Sequence, residues 1–348
     1  MTTVHGASLA VVAPGLHTTI QDRGRFGHQD VGMPVSGPLD DVGLRLANAL
    51  VGNPPGMAAL EILMQGPTLE VAAESVRVAL AGSGAGIEVL GEEARVVPSW
   101  RSITLRRGQS FRIRALADSA CAYLAVEGGF AIEPCLGSLS TYVRGGIGGL
   151  HGGALRPGDN LPLRFDAATE RDEVMLPKTP DLAPNRTIRV VLGPQQDYFT
   201  DAAVDTLLSS DYRVSQNADR MGFRLDGPIL AHRDGYNIVS DGIATGAIQV
   251  PGSGQPILLL ADHGTAGGYP KIATVISADL PVIGRRRPGD GIRFAAVTVA
   301  EAEAIRQQEE AALQTLIRRL RPVSEDAGID LAALYSQNLI SGVVSGAE

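Results

Sequence analysis

Two cysteines, Cys121 and Cys135, are all that the 348 residues contain, too few for a disulfide scaffold or a structural zinc site. Both sit in apolar or glycine-rich sequence, which fits a reducing cytoplasm, and no metal ligand set is expected. No run of about 18 consecutive apolar residues occurs. Met1 to His17 has neither a basic flank nor a long apolar core, so a cytoplasmic protein without a membrane partner is expected. Positive charge is also scarce: 30 lysines and arginines face 38 acids, a net charge of -8, which argues against nucleic acid or an anionic membrane as the main partner. What remains is 44% hydrophobic and 20% charged, the balance of a globular chain long enough for two cores.

Short strands dominate. Leu69 to Val71, Val76 to Leu80, Ile87 to Val89, Ser102 to Leu105, Phe111 to Ile113 and Ala122 to Val126 show alternation or buried apolar runs with glycine between them, the pattern of a barrel or sandwich. Asp166 to Arg186, with Pro177, Pro180 and Pro184, lacks periodicity and marks the domain boundary. Arg156-Pro157-Gly158-Asp159 leads into one final strand and Arg287-Pro288-Gly289-Asp290 into another, with a weaker third copy at Arg107-Gly108-Gln109. Two related β-rich domains are therefore expected, 1–180 and 186–298, followed by a helix over 299–321 and a tail over 322–348 that either holds one more amphipathic turn, Leu331 to Leu334, or is disordered. Thr298-Val299-Ala300-Glu301 is the capping box of that helix. A second helix is expected to start at Ser36 or Gly37 as N-cap, with Pro38 in its first turn and Leu39, Val42, Leu46 and Leu50 as its apolar stripe. A third is short, from Thr200 to Leu208.

The stretch richest in chemistry is Gln249 to Lys271. Ile257 to Leu260 reads as a buried strand delivering Asp262 and His263, followed by Gly267 and Gly268, which permit close backbone approach, then Tyr269 and Lys271. An ordinary strand leaving the core has a similar polar end. Two loops are candidate anion sites, Asp22 to Gly27 ahead of the first helix and Ser138 to Gly146, although both read equally as structural corners. Gly82 to Gly86 looks like a phosphate loop, but the Lys-Ser or Lys-Thr that should follow is missing.

Several segments together resemble one family. Pro14-Gly15, Thr18 to Arg25, Ser36 to Asp40, Leu46-Ala47-Asn48 with Val51-Gly52-Asn53, Asp219 to Arg224, Gly246 to Pro251 and Gly267 to Lys271 are similar to the family called the 5-oxoprolinase C-subunit, allophanate hydrolase subunit 2 or biotin-dependent carboxyltransferase A/B domain. The resemblance implies a mainly β protein of two cyclophilin-like β-barrel domains. It implies one part of an ATP-dependent enzyme opening the lactam 5-oxoproline to L-glutamate, with a smaller related B-subunit, plus a separate A-subunit, as partners. The other readings are the carboxyltransferase half of a biotin-dependent urea carboxylase-like enzyme, and a non-catalytic partner of the small subunit. The serine-rich nucleophile loop of amidases and the methionine-flanked lysine of biotin carriers are both absent, so the chain alone is neither.

Opening a poorly electrophilic lactam with ATP needs cations for phosphate, donors for a developing oxyanion and an acid or base. Under the resemblance, Arg23, Arg220, Arg224 and Lys271 are the cations, Asp262 and His263 the proton carriers, and Gln249 and Tyr269 orient the substrate. Gln21, Asp22, Ser36 and Asp219 complete the binding set. These residues are expected to converge. Gly264 stands where the family usually carries a side chain, so the burden falls on Gln249, Asp262, Tyr269 and Lys271, with His263 secondary. Asp22 with Arg23, and Asp219 with Arg220, read equally as ion pairs bracing loops.

Overall fold

A computed structural model describes residues 6–181 and 187–323; Leu331 to Leu334 lie outside the described residues. The chain is mainly β, with four α-helices among the described residues: α1 (Asp41–Leu50), α2 (Asp201–Ser209), α3 (Leu280–Gly284) and α4 (Val299–Arg318). In the first half, a six-stranded sheet that includes Ser8–Ala13 packs on a five-stranded sheet that includes Ala59–Leu63 and Cys121–Val126. Leu9, Leu60, Leu69, Leu80, Phe111, Leu124 and Leu161 meet in the core between them.

One strand shows how that half joins the rest. Along Cys121–Val126 every residue is buried, because Ala122, Leu124 and Val126 face the inner core while Cys121, Tyr123 and Ala125 face a second core shared with α1 and the second half. Side chains alternate across a strand, so covering both faces turns the expected alternation into a continuous apolar run.

The second half forms an eight-stranded sheet whose two outermost strands are Gly291–Ile292 and Phe294–Ala296. Only Arg293 separates them. Tyr212 pairs with Ile292 and Ile188 with Phe294, so a single stretch of chain closes the sheet into a barrel and leaves no long open edge.

The repeated turn is real in all three copies. Gly108, Gly158 and Gly289 take left-handed φ of 82°, 84° and 93°, which glycine alone adopts cheaply. Asp159 and Asp290 accept from the amides of Arg156 and Arg287 at 2.7 and 2.8 Å, and in the third copy Gln109 accepts from the Arg106 amide at 2.8 Å. Side-chain length differs, but the acceptor keeps its place in the turn.

One expectation changes. Asp40, not Ser36 or Gly37, caps α1, accepting from the Gly43 amide at 3.0 Å. Ser36 and Gly37 have φ of 56° and 88°, whereas a capping residue is extended; Pro38 and Leu39 thus lie outside the helix. The expected boundary segment, from Asp166, is packed at least to Leu176, which is buried, and Val174–Met175 pairs with Arg321–Pro322 beyond α4. The capping box of α4 forms as expected, with Thr298 and Glu301 exchanging hydrogen bonds.

Candidate functional site

Between the two halves lies a buried cluster of charges. Glu61 and Tyr123 face each other across neighbouring strands, and the tyrosine hydroxyl donates to Glu61 at 2.6 Å. From the turn after Tyr212–Asp219, Arg220 reaches across to ion-pair with Glu61, donates to Asp262 through Nε at 2.9 Å and Nη2 at 3.1 Å, and donates to the Gly37 carbonyl at 2.7 Å. Arg285 pairs with Asp40 at 2.7 Å, and the Asp40 amide donates to Tyr123 Oη at 2.9 Å. Burial opposes the charge on Arg220, but the attraction of Glu61 and Asp262 wins and its pKa is raised. Burial and then Glu61 push the Tyr123 hydroxyl well above its usual value. Each charge here already has its counter-charge, so the cluster acts as a brace.

The residues expected to converge fall instead into separate places. Arg220 and Asp262 belong to the brace. Asp22 accepts from the amides of Gly24 and Leu139 and the hydroxyls of Ser138 and Ser140, at 2.6–2.9 Å. The serine-rich loop thus binds an anion, but that anion is the protein's own carboxylate. Gln21 is buried beside it, donating to Thr19 and the Thr141 carbonyl at 3.0 Å. Asp219 accepts from the amides of Met221 and Gly222 and so braces its own turn. Neither Asp22 nor Asp219 pairs with the arginine next to it in sequence. Arg224 is exposed on a barrel strand.

Gln249 and Lys271 are strand partners and form another group. The buried Lys271 ammonium binds Asp241 at 3.0 Å, holding that carboxylate below its usual range. The Gln249 amide is buried against Gly267, where a Cβ would come within 2.7 Å of it. Tyr269 is 41% exposed.

Arg23, Ser36 and His263 share a different setting, a cavity of about 760 Å³. Its walls come from the segment before α1, from α1 itself, from Ile243 to Thr245, from α3 and from α4. Asp262 and His263 are neighbours in sequence but part company here, the acid turning to Arg220 and the imidazole lining the cavity. His263 Nδ1 lies 2.6 Å from the Gly264 carbonyl and Nε2 lies 3.1 Å from Thr245 Oγ1. Burial lowers the His263 pKa, so the ring is neutral near pH 7. Ser36 holds a left-handed backbone, and its buried hydroxyl has no hydrogen-bond partner among the described residues. Arg23 is 58% exposed and touches Asp41 at 3.3 Å. Arg306, on α4, makes no hydrogen bond or ion pair among the described residues.

Thr245 and Arg306 were not singled out by the sequence. Thr245 precedes the Gly246 to Pro251 motif, but no spacing ties it to His263, and Arg306 looks like any exposed helical arginine. A side chain at Gly264 would meet nothing closer than the Ala266 carbonyl at 3.6 Å, so its absence leaves the site open.

Comparison with known proteins agrees with this architecture. The family model described as carboxyltransferase domain, subdomain A and B, matches residues 31–296. The 5-oxoprolinase C-subunit of Escherichia coli K12 is 36% identical over 312 residues, covering 90% of this chain and 98% of that protein. Urea amidolyase of Saccharomyces cerevisiae is 31% identical over 91% of this chain, but the match spans only 18% of the yeast protein. The solved urea carboxylase of Kluyveromyces lactis superimposes with a TM-score of 0.82 at 28% identity, over 90% of this chain and 30% of that one. With the family model matching residues 31–296 and the Escherichia coli protein aligned over 90% of the chain, the chain belongs to the carboxyltransferase domain, subdomain A and B, family.

Proposed function

We propose that the chain is the C-subunit of an ATP-dependent 5-oxoprolinase complex, which opens 5-oxoproline to L-glutamate together with its B- and A-subunits. The observation that carries this reading is the match to a 5-oxoprolinase C-subunit over 98% of that protein's length, where the urea enzymes correspond over a minor part. The cavity supports it. Its volume falls within the roughly 300–1,000 Å³ of small-molecule sites, room for a five-membered lactam and a phosphoryl group. Arg23 and Arg306 offer donors to the carboxylate or phosphate of an activated lactam, and His263 offers a neutral imidazole for proton transfer. Asp262 and Lys271, each already paired, serve the frame around it.

The test is co-purification of the chain with the products of neighbouring genes, followed by measurement of ATP hydrolysis with and without 5-oxoproline. Hydrolysis stimulated by 5-oxoproline, with glutamate formed in proportion, is the expected result. The second reading, carboxyl transfer from biotin, is favoured by the fold match to urea carboxylase. The same cavity would accommodate the bicyclic ring of biotin, which supplies a carboxyl group when bound. ATP use that requires bicarbonate and a biotinylated partner, and ignores 5-oxoproline, would move the assignment there.

A further inference from the structure

His263 is held by two contacts of different kinds. The Gly264 carbonyl can only accept, so in the neutral ring Nδ1 carries the proton and donates at 2.6 Å. Nε2 is then the bare nitrogen, and the Thr245 hydroxyl donates to it at 3.1 Å. The neighbouring acid does not orient this ring, because both Asp262 oxygens are committed to Arg220; a backbone carbonyl does so instead. Thr245 and His263 both line the cavity. A threonine oxygen that donates to the ring still has lone pairs with which to accept.

We propose that Thr245 and His263 form a proton relay facing the cavity, in which the Thr245 hydroxyl takes a proton from the attacking water as its own proton passes to His263 Nε2. The water oxygen bonds to the carbonyl carbon of a lactam whose oxygen carries the phosphoryl group from ATP, the C–N bond breaks, and the acyl phosphate that remains is hydrolysed by a second water to the carboxylate and phosphate. The proton held on Nε2 returns through Thr245 Oγ1 to the departing nitrogen, leaving both side chains as they began. This rests on the 5-oxoprolinase reading for the identity of the amide, a lactam whose ring nitrogen leaves as the new amine; the threonine–histidine coupling stands apart from it. Threonine here is a catalytic residue because it meets the reacting water directly.

Two experiments separate the claims. In the chain alone, nitrogen NMR of His263 is expected to show the Nδ1-protonated tautomer titrating below 6.5. Thr245→Val removes the donor that stabilises the neutral ring and should raise that pKa, while Thr245→Ser should leave it nearly unmoved. In the reconstituted complex, Thr245→Ser should stay within about fivefold of wild-type turnover, whereas Thr245→Val should lose about 100-fold in kcat with KM little changed, the scale of a lost proton-transfer group. The acidic limb of the pH–rate profile should follow the His263 titration in each variant. An Nε2-protonated tautomer, a Thr245→Val ring with an unchanged pKa, or a Thr245→Val complex with wild-type kcat would each overturn the relay. A wild-type complex that ignores 5-oxoproline would overturn the function above, with the NMR still deciding the pair.

Discussion

Arg220 and Arg306 are the same side chain in opposite circumstances. Arg220 is 5% exposed and donates to two carboxylates and a carbonyl, whereas Arg306 lines the cavity with no partner among the described residues. A guanidinium whose three nitrogens are all engaged holds structure; one whose donors have no partner has something to offer a ligand. The same division separates Asp262 from His263. Adjacent in sequence, one is neutralised by a buried cation and the other lines a cavity with its unprotonated nitrogen accepting from Thr245, a second lining residue.

The sharpest way to break this comparison is to remove Arg220. Arg220→Ala leaves Glu61 and Asp262 buried without their cation, and should cost about 3–5 kcal/mol of stability, read as a lower denaturant midpoint. Replacing Arg220, Glu61 and Asp262 together with apolar residues of similar volume should recover much of that loss. If Arg220→Ala instead folded with wild-type stability but lost activity, the brace would have to be reclassified as part of the site.

The two neighbours give the second contrast. His263→Gln should lower turnover of the complex about 100-fold or more while disturbing stability less than Arg220→Ala does. Asp262→Asn should do the reverse, with any loss of activity following the fraction of folded protein. Turnover measured at matched folded concentration distinguishes them.

Acid stability sharpens the comparison again, because the buried His263 and the half-buried His17 are groups whose ionisation folding suppresses. Burial lowers the pKa of His263, and burial together with Arg220 lowers that of His17, both from 6.5. Between 6.5 and those lower values the unfolded chain binds more protons than the folded one, so stability rises with pH in that window. The contribution is complete above 6.5 and is lost as pH falls towards the folded pKa values. The slope from each group is at most about 1.4 kcal/mol per pH unit. His17→Gln and His263→Gln should each flatten the decline in unfolding free energy as pH falls from about 7 to about 5; a slope unchanged in both would show that other groups carry it.

How much of this was legible beforehand depends on distance along the chain. Strands, the proline-glycine turns and the capping box of α4 are local, and alternation, turn chemistry and a four-residue pattern announced them. The start of α1 was misplaced by the Ser-Gly-Pro motif, because left-handed backbone at Ser36 and Gly37 serves close loop packing, which local propensity does not report. Glu61 could have been noticed as a lone acid in an apolar strand, Ala59-Leu60-Glu61-Ile62-Leu63. Its partner Arg220 stands 159 positions away, and no local pattern joins them. The candidate site was harder still. Motifs marked Asp262, His263 and Lys271 alike, since brace and cavity draw on the same polar residues. Only the direction of each side chain, fixed by the packing of two β-systems against each other, separates them.

The smallest effects should come from the two exposed arginines of the cavity, Arg306 and Arg23. Arg306 is exposed and unpaired among the described residues, so Arg306→Ala should alter stability by no more than about 0.5 kcal/mol, in contrast to Arg220→Ala. Its effect should appear in binding. Losing one charge-assisted hydrogen bond to an anionic substrate costs about 1.5 kcal/mol, roughly tenfold in KM. Arg23→Ala should do less, because Arg23 already shares its donors with Asp41. Both contacts lie near solvent and should weaken as salt is raised, so the KM of the wild-type complex should climb with ionic strength and that of the double variant should climb less. A KM untouched by either substitution would mean that an arginine without a partner is merely solvated, and that the cavity recognises its ligand through Ser36, Thr245 and His263 instead.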